Sequence, residues 1–157
     1  MTSIYNTAYA SNFRIEFLNS PRLNYFVQSV SIPGISAMGP ETPTKGHNTF
    51  FQADRIEYDP LNITFLVDEN FENYLYLFAW IKRDVETERP SQFQQDATLH
   101  ILTNNKTQNL VVKYYGMFPQ MLGSIDLENA VNDSPVLTCS CTFRYQYFRI
   151  ERMNEVQ

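Results

Sequence analysis

The sequence holds few of the residues that build metal or catalytic sites. Its 157 residues include two cysteines, two histidines and five glycines. A zinc site needs clustered Cys and His ligands, but His47 and His100 each stand alone in the sequence. There is no Gly-x-Ser-x-Gly elbow, no glycine-rich phosphate loop and no His-Glu-x-x-His motif. We therefore predict no metal, no cofactor and no catalytic residue.

Asp54, Glu57 and Asp59 lie close enough together to be considered as paired carboxylates. They fall on a predicted strand beside a turn, where solvated charges are common, and no acid–base partner is evident. Acid–base catalysis needs a pKa tuned by neighbouring groups, and the sequence offers no nucleophile–base pair either. We therefore predict that the protein is not an enzyme.

Long hydrophobic runs and excess basic charge are also missing. No run approaches the ~20 apolar residues of a membrane span, and the first 12 residues lack the apolar core of a signal peptide. The 12 Lys and Arg are outnumbered by 17 Asp and Glu, which gives a net charge of −5. Because a nucleic-acid-binding protein normally carries a basic patch, we expect neither membrane insertion nor specific DNA binding.

The two cysteines, Cys139 and Cys141, lie two residues apart on one face of a predicted strand. This spacing gives poor disulfide geometry. Since a free cysteine usually behaves as a small buried hydrophobe, we predict two buried thiols.

Aromatic residues, in contrast, are abundant, with 12 Phe and 10 Tyr. They alternate with polar residues most clearly between positions 137 and 147. Successive side chains of a strand point to opposite faces, so this run predicts a strand with one apolar face. Such a strand needs sheet neighbours and a cover over its apolar face. That face would carry Leu137, Cys139, Cys141, Phe143, Tyr145 and Tyr147.

Alternation elsewhere predicts further strands, the first two joined as a hairpin through a proline turn. The chain then reads as one mainly β domain over residues 1–157, with a polar arm at 1–11 and a charged tail at 149–157. We predict an antiparallel β-sandwich or open barrel of roughly seven or eight strands with one flanking α-helix. These further strands span residues 12–18, 23–32, 54–67, 97–102 and 110–115.

The flanking helix is predicted at residues 69–86. Residues 68–70 offer N-cap side chains and early carboxylates, and apolar residues then recur at helical spacing. The predicted core-facing stripe consists of Phe71, Tyr74, Leu75, Phe78, Ile81 and Val85, broadened by Leu77 and Trp80.

Residues 33–53 are rich in Pro and Gly and show no period apart from a possible short strand at 49–51. A structureless connection of this length is uncommon in a compact domain and is usually functional. Its large apolar side chains would be costly to leave in water, so we expect a loop ordered by a neighbouring subunit. The predicted interface residues are Ile35, Met38, His47, Phe50 and Phe51.

The order of five segments resembles the tail tube proteins of contractile-tailed bacteriophages, the T-even-type tube family. The early segments are an apolar-Pro-Gly turn at 31–35 and an aromatic-x-Trp helix segment at 78–80. A Gly-aromatic-Pro turn at 115–119 and a small-residue step into an extended segment at 123–127 follow. A final alternating aromatic strand at 134–148 completes the pattern.

This resemblance implies hexameric rings whose sheets join into an inner barrel, and rings that stack into a tube through which DNA passes at ejection. It implies kinship with the tube of type VI secretion, and sheath, tape-measure and baseplate proteins as partners. It also implies a place in the virion tail, after assembly in the host bacterial cytoplasm. A baseplate or tail-end protein of the same fold, an initiator or a terminator, remains open. A ligand-binding β-barrel is the alternative from another class.

Overall fold

A computed structural model describes residues 7–24, 26–88, 93–129 and 135–153 of the chain. Most of the predicted N-terminal arm and the end of the predicted charged tail lie outside the described residues. In chain order the elements are β1 (Phe13–Phe17), α1 (Pro21–Asn24), β2 (Val27–Val30), β3 (Ile35–Met38), β4 (Glu41–Thr44), β5 (His47–Phe50), β6 (Arg55–Tyr58), β7 (Leu61–Leu66), α2 (Glu72–Glu86), β8 (Gln95–Leu102), β9 (Gln108–Leu122), β10 (Thr138–Arg144) and β11 (Tyr147–Arg152).

Seven of these strands form one bent antiparallel sheet with the order β1-β8-β9-β10-β7-β2, and β11 also pairs with β9. The long strand β9 belongs to both halves of the sheet. Its first part pairs with β8 and β11, and its end pairs with β10. At Gly116, where φ is +62°, the backbone N–H donates to Asp96 Oδ1 at 3.0 Å. We call β1, β8, β9 and β11 the first half-sheet, and β9, β10, β7 and β2 the second.

The core lies where the two half-sheets and α2 meet. Leu61, Ile63 and Phe65 alternate as buried residues along β7. Trp80 of α2 lies 6.1 Å, centroid to centroid, from Phe143 of β10. Burial of each such side chain contributes about 1.5–3 kcal/mol, so α2 is held as the cover of the sheet. The prediction of a mainly β fold, an antiparallel β-sandwich or open barrel with a flanking helix, is confirmed as a mainly antiparallel β structure with seven strands in its large sheet.

The final aromatic strand is confirmed in its first part. Cys139, Cys141, Phe143 and Tyr145 are buried on one face, as the alternation predicted. The strand breaks after β10, however, and Tyr147 turns outward to stack on Tyr115 at 4.7 Å. The predicted charged tail begins inside a strand, because residues 149–152 belong to β11, which pairs with β9.

The predicted hairpin between residues 12–18 and 23–32 was wrong. Strand β1 pairs with β8, and β2 pairs with β7. Helix α1 lies between them, and Asn24 Oδ1 accepts a hydrogen bond from Phe17 N at 2.8 Å. The chain thus passes through α1 from one end strand of the sheet to the other instead of folding β2 back on β1.

The prediction that residues 68–70 cap α2 was also wrong. The N-cap residue is Phe71, which has φ 56° and makes no side-chain capping hydrogen bond. Asn73 stabilises this turn instead: its Oδ1 accepts from Tyr74 N at 2.8 Å, and its Nδ2 donates to Leu66 O at 2.7 Å. A buried amide of the first turn therefore ties the helix to the end of β7.

The face of α2 that meets the core differs from the predicted stripe. The buried residues are Asn73, Leu77 and Trp80. Leu75 and Val85, both predicted to be in the core, are 55% and 80% exposed. The helix is apolar on two sides, and the side with the large indole of Trp80 is the one that packs on the sheet.

Residues 33–53 are not a structureless loop. Strand β3 pairs with β6, and β4 pairs with β5 in a hairpin whose tip is Lys45-Gly46. Gly46 has φ +98°, a conformation that glycine adopts without strain. We call residues 35–58 the arm. The sequence pattern indicated only the possible short strand at 49–51, which overlaps β5, and missed β3 and β4, because the arm is exposed on both faces and needs no apolar–polar alternation.

Candidate assembly surfaces

The described residues contain no cluster of His, Cys, Asp and Glu that could hold a metal ion. Within those residues, no helix has the length and apolarity needed to cross a membrane. Both cysteines are free and buried, and burial raises the pKa of the Cys139 and Cys141 thiols. A thiol with a raised pKa is a weak nucleophile. Asp54, Glu57 and Asp59, the carboxylates considered for catalysis, are all exposed.

The arm projects from the base of the second half-sheet and exposes apolar side chains. At its base, Ile35 lies opposite Tyr58 and Ala37 opposite Ile56. Opposite residues share a face, so Ile35 and Ile56, 61% and 58% exposed, form an apolar strip. The strip continues into the core, because the Tyr58 ring lies 5.4 Å from that of Phe148.

A buried tyrosine fixes the base of the arm. The Tyr145 hydroxyl donates to Asp59 O at 2.7 Å, directly after β6. Burial, with the nearby Asp59 carboxylate, raises the pKa of Tyr145 to about 12. The hydroxyl therefore stays protonated and keeps donating throughout the physiological range.

The hairpin at the far end of the arm holds three of the five predicted interface residues. Phe50 is 71% exposed opposite Glu41, and Phe51, just after the hairpin, is 56% exposed. His47 begins β5 opposite Thr44. Because positions 47 and 50 differ by an odd number, His47 and Phe50 point to opposite faces of the hairpin.

The other two predicted interface residues, Ile35 and Met38, lie on β3 at the base of the arm. Met38 is 41% exposed and points to the face opposite Ile35. The structure thus brings all five predicted residues onto one exposed element but not onto one face. Their role in a subunit interface stays a prediction.

Sequence analysis missed a second exposed apolar surface, which lies on α2. We call it the outer stripe: Leu75, Phe78 and Val85, which face away from the core. Lys82 lies among them, with its Nζ 6.0 Å from the Phe78 ring and 3.7 Å from Glu86. The signal was present in the sequence as helical periodicity, but it was assigned to the core.

A groove separates the two end strands of the sheet, β1 and β2. We call it the seam groove; its volume is about 640 Å³. Neither strand has a strand partner on this side within the described residues. Arg14 is the one ionisable side chain among the described residues that line it. Much of the wall is apolar, from Phe13, Ile15, Val27 and Val30.

The outward faces of the two half-sheets differ in charge. On the second half-sheet, Thr142 lies opposite Asn62 and Ser140 opposite Thr64, and Thr142 Oγ1 donates to Asn62 Oδ1 at 2.9 Å. This face carries mainly hydroxyl and amide groups; Arg144, at the end of β10 on the same face, is exposed and donates from Nε to Gln120 Oε1 at 3.0 Å.

The outward face of the first half-sheet carries ion pairs instead. Arg14 contacts Glu16 at 2.7 Å, and Lys113 contacts Glu151 at 2.8 Å. A hydrogen bond from the Lys113 ammonium to Glu151, with the charge of that carboxylate, raises the pKa of Lys113. Exposed pairs of this kind contribute little to stability, because solvent screens them.

The model of the phage tail tube protein family matches residues 1–151. The chain belongs to this family. Among tail tube relatives it is 28% identical to the tail tube terminator protein of Enterobacteria phage T4, over 99% of this chain and 96% of that one. The expected resemblance to contractile-tail tube proteins is confirmed.

Solved structures show the same tail tube fold in contractile injection systems. In the baseplate of the anti-feeding prophage, one chain superposes with a TM-score of 0.69 at 17% identity, covering 95% of this chain and 98% of that chain. A type six secretion system protein superposes with a TM-score of 0.52 at 12% identity, covering 88% and 81% of the two chains. Likeness at these identities shows the fold alone.

Proposed function

We propose that this chain forms the ring that ends a contractile-phage tail tube, rather than the ring repeated along it. The observation that carries this proposal is the similarity to the T4 tail tube terminator protein, which runs almost from end to end of both chains. The sequence had favoured the repeated tube subunit and kept the tail-end protein as the alternative. No residue pattern separates the two positions, because both use the same fold.

A ring is supported by the free edges of the sheet. Each half-sheet has four strands and ends, in the described residues, on two strands that run antiparallel to each other. A neighbour rotated about a ring axis therefore presents an edge in the right direction to extend the sheet. A head-to-tail interface of this kind closes into a ring when the rotation fits. We propose six copies per ring, as the family resemblance implied.

The proposed role is structural and needs no catalysis and no cofactor. The ring would lie in the virion tail, after assembly in the cytoplasm of the host bacterium. There it would contact the last tube ring, with sheath, tape-measure and baseplate proteins as the other components of the tail. DNA would pass through the ring without specific binding. The hydroxyl and amide groups of the second half-sheet suit such passage, because Lys and Arg contacts to phosphate would hold the DNA, and Arg144 on this face already donates to Gln120.

Labelled protein added to preformed tubes of the same phage tests the proposal. We expect label at one end of each tube in electron micrographs, and tubes that no longer elongate when free tube subunits are added. The purified tube subunit, labelled in the same way, is the control and should enter along the growing length. Label distributed along the tubes would overturn the terminator proposal and support the second candidate function, that of a repeated tube subunit.

A further inference from the structure

The segment after β9 presents an apolar side chain between two acidic ones. Leu127 is 74% exposed, and its neighbours Asp126 and Glu128 are exposed as well. We call residues 126–128 the acidic knob. The chain from Gly123 to Glu128 belongs to no strand, although Gly123 N still donates to Ser140 O at 2.7 Å. The segment runs beside β10, because Asp126 lines a surface pocket together with Thr64 of β7 and residues 135–140, while Leu127 and Glu128 face solvent.

The seam groove lies elsewhere on the molecule, between β1 and β2. Its apolar wall is exposed, and its one ionisable lining residue among those described, Arg14, is positively charged. Arg14 now pairs with Glu16 at 2.7 Å, with the two side chains 65% and 44% exposed. An exposed pair of this kind is weak, so a second carboxylate can share or replace Glu16.

We propose that the acidic knob of one copy docks in the seam groove of the next copy in the ring. Leu127 would enter the apolar part of the groove, and Asp126 and Glu128 would lie beside Arg14. The knob is extended, so its backbone can hydrogen-bond to the free edges of β1 and β2, in the manner of strand addition. This inference rests on the proposed ring and identifies its contact.

The positions of the two surfaces fit a repeating contact. The knob follows the end of β9 and the groove lies between β1 and β2, so the two surfaces share no residue and one copy can use both at once. A contact between two different surfaces propagates head to tail and closes when the rotation fits. It would also cover Leu127, an exposed large side chain for which the described chain provides no cover.

Disulfide trapping tests the contact directly. The variant carrying both Leu127→Cys and Gln28→Cys places one thiol on the knob and one on β2 in the groove. We expect mild oxidation of the purified protein to give a ladder of covalent oligomers that collapses on reduction. Each single variant, in which only one side of the contact carries a thiol, should stay without a ladder. The native Cys139 and Cys141 can remain, since both are buried.

A matched control replaces Val85 on the outer stripe, which is more exposed than Leu127. The pair Val85→Cys with Gln28→Cys should give no ladder. Equal ladders from both pairs would mean random collision and would overturn the inference. No ladder from the Leu127 and Gln28 pair would overturn it as well.

Charge exchange gives an independent test. Arg14→Glu should lower the fraction of rings measured by light scattering, and so should Asp126→Arg combined with Glu128→Arg. Each change should weaken association by about tenfold, which corresponds to one decade in Kd. All three substitutions together should restore rings, whereas failure of this restoration would overturn the pairing.

The two proposals fail in different ways. If rings cap tubes but the Leu127 and Gln28 cysteine pair gives no ladder, the knob-and-groove contact is wrong and the terminator proposal is kept. If the ladder is specific but the protein enters along the tube, the knob-and-groove contact is kept and the terminator proposal is wrong.

Discussion

Asp84 of α2 has both carboxyl oxygens buried, with no hydrogen-bond partner in the described part of the chain. Burial raises the pKa of this carboxyl, although the neighbouring Arg83 works in the opposite direction. Burial of a charge without a partner disfavours the ionised form. In its ionised form, Asp84 therefore lowers the stability of the folded protein.

We predict that Asp84→Asn stabilises the protein at pH 7 by roughly 1 kcal/mol. A raised folded-state pKa means that the folded protein binds the proton more tightly than the unfolded chain does. The stability from this group is then fully present below the unfolded value of 3.8 and is lost as pH rises through the folded pKa. The gain from Asp84→Asn should accordingly vanish below pH 3.8. Urea unfolding at pH 7 and below pH 3.8 measures this gain in unfolding free energy. Asp54→Asn, at an exposed carboxylate, is the control. A gain that is the same at both pH values would contradict the argument.

Asn73 shows what single-residue patterns leave unseen. The sequence offered three polar residues, at 68–70, as helix caps, and these fit the usual preference. The structure uses a residue inside the first turn, because only Asn73 reaches both Leu66 O and the Tyr74 N–H. Which of several suitable side chains stabilises a helix start depends on the preceding strand, and that information is absent from local sequence.

At the scale of elements, α2 carries apolar residues on two opposite sides. Helical periodicity alone cannot decide which side meets the sheet, because both satisfy the same spacing. The observed choice buries Leu77 and Trp80 to 1% exposure and leaves the outer stripe in solvent.

Two alanine substitutions on consecutive residues of α2 test this choice. Leu77→Ala should cost about 2–5 kcal/mol, because it opens a cavity in the core. Phe78→Ala should cost under about 1 kcal/mol in the monomer, since the ring is 48% exposed. Denaturant unfolding of the isolated chain measures both values. If Phe78→Ala lowered the unfolding free energy more than Leu77→Ala does, the core-facing stripe predicted from the sequence would be supported instead.

The strands show the same division between what sequence can and cannot predict. Alternation predicted β7 and β10, because each has one buried and one exposed face. It failed for β3 and β4 and indicated only part of β5, because these strands are exposed on both faces and leave no period-two signal. Of the candidate interface residues, the sequence identified the arm but not the outer stripe or the seam groove. Those two surfaces arise from the choice of helix face and from the pairing of distant strands.

At the scale of the whole molecule, exposed apolar side chains concentrate on the arm, on the outer stripe and around the acidic knob. Isolated soluble chains rarely expose several such surfaces, and larger exposed patches mark interaction sites. If the knob and groove join copies within a ring, the arm is free for a different contact. Its hairpin extends from the body and is exposed along both strands, so it suits the neighbouring ring of the tube.

Removing the hairpin should separate folding from assembly. Gly39 lies against the carbonyl oxygens of Phe51 and Gln52, so the ends of the excised segment are adjacent. We predict that replacing residues 40–51 with two glycines leaves the unfolding midpoint of the body nearly unchanged, because the removed residues bury little surface. Rings should still form and should still give the Leu127–Gln28 disulfide ladder.

The same deletion should abolish binding to tube ends, because the hairpin is the element proposed to reach the next ring. Cosedimentation with preformed tubes measures this step, and electron microscopy of the pellet shows whether ends are occupied. Phe50→Ser combined with Phe51→Ser keeps the hairpin backbone and removes only its apolar side chains. If this double variant binds as poorly as the deletion, the phenyl side chains of Phe50 and Phe51 provide the contact. If it binds normally, pairing through the hairpin backbone provides it. If the protein without the hairpin still capped tubes normally, the hairpin would contribute neither to ring formation nor to binding at tube ends.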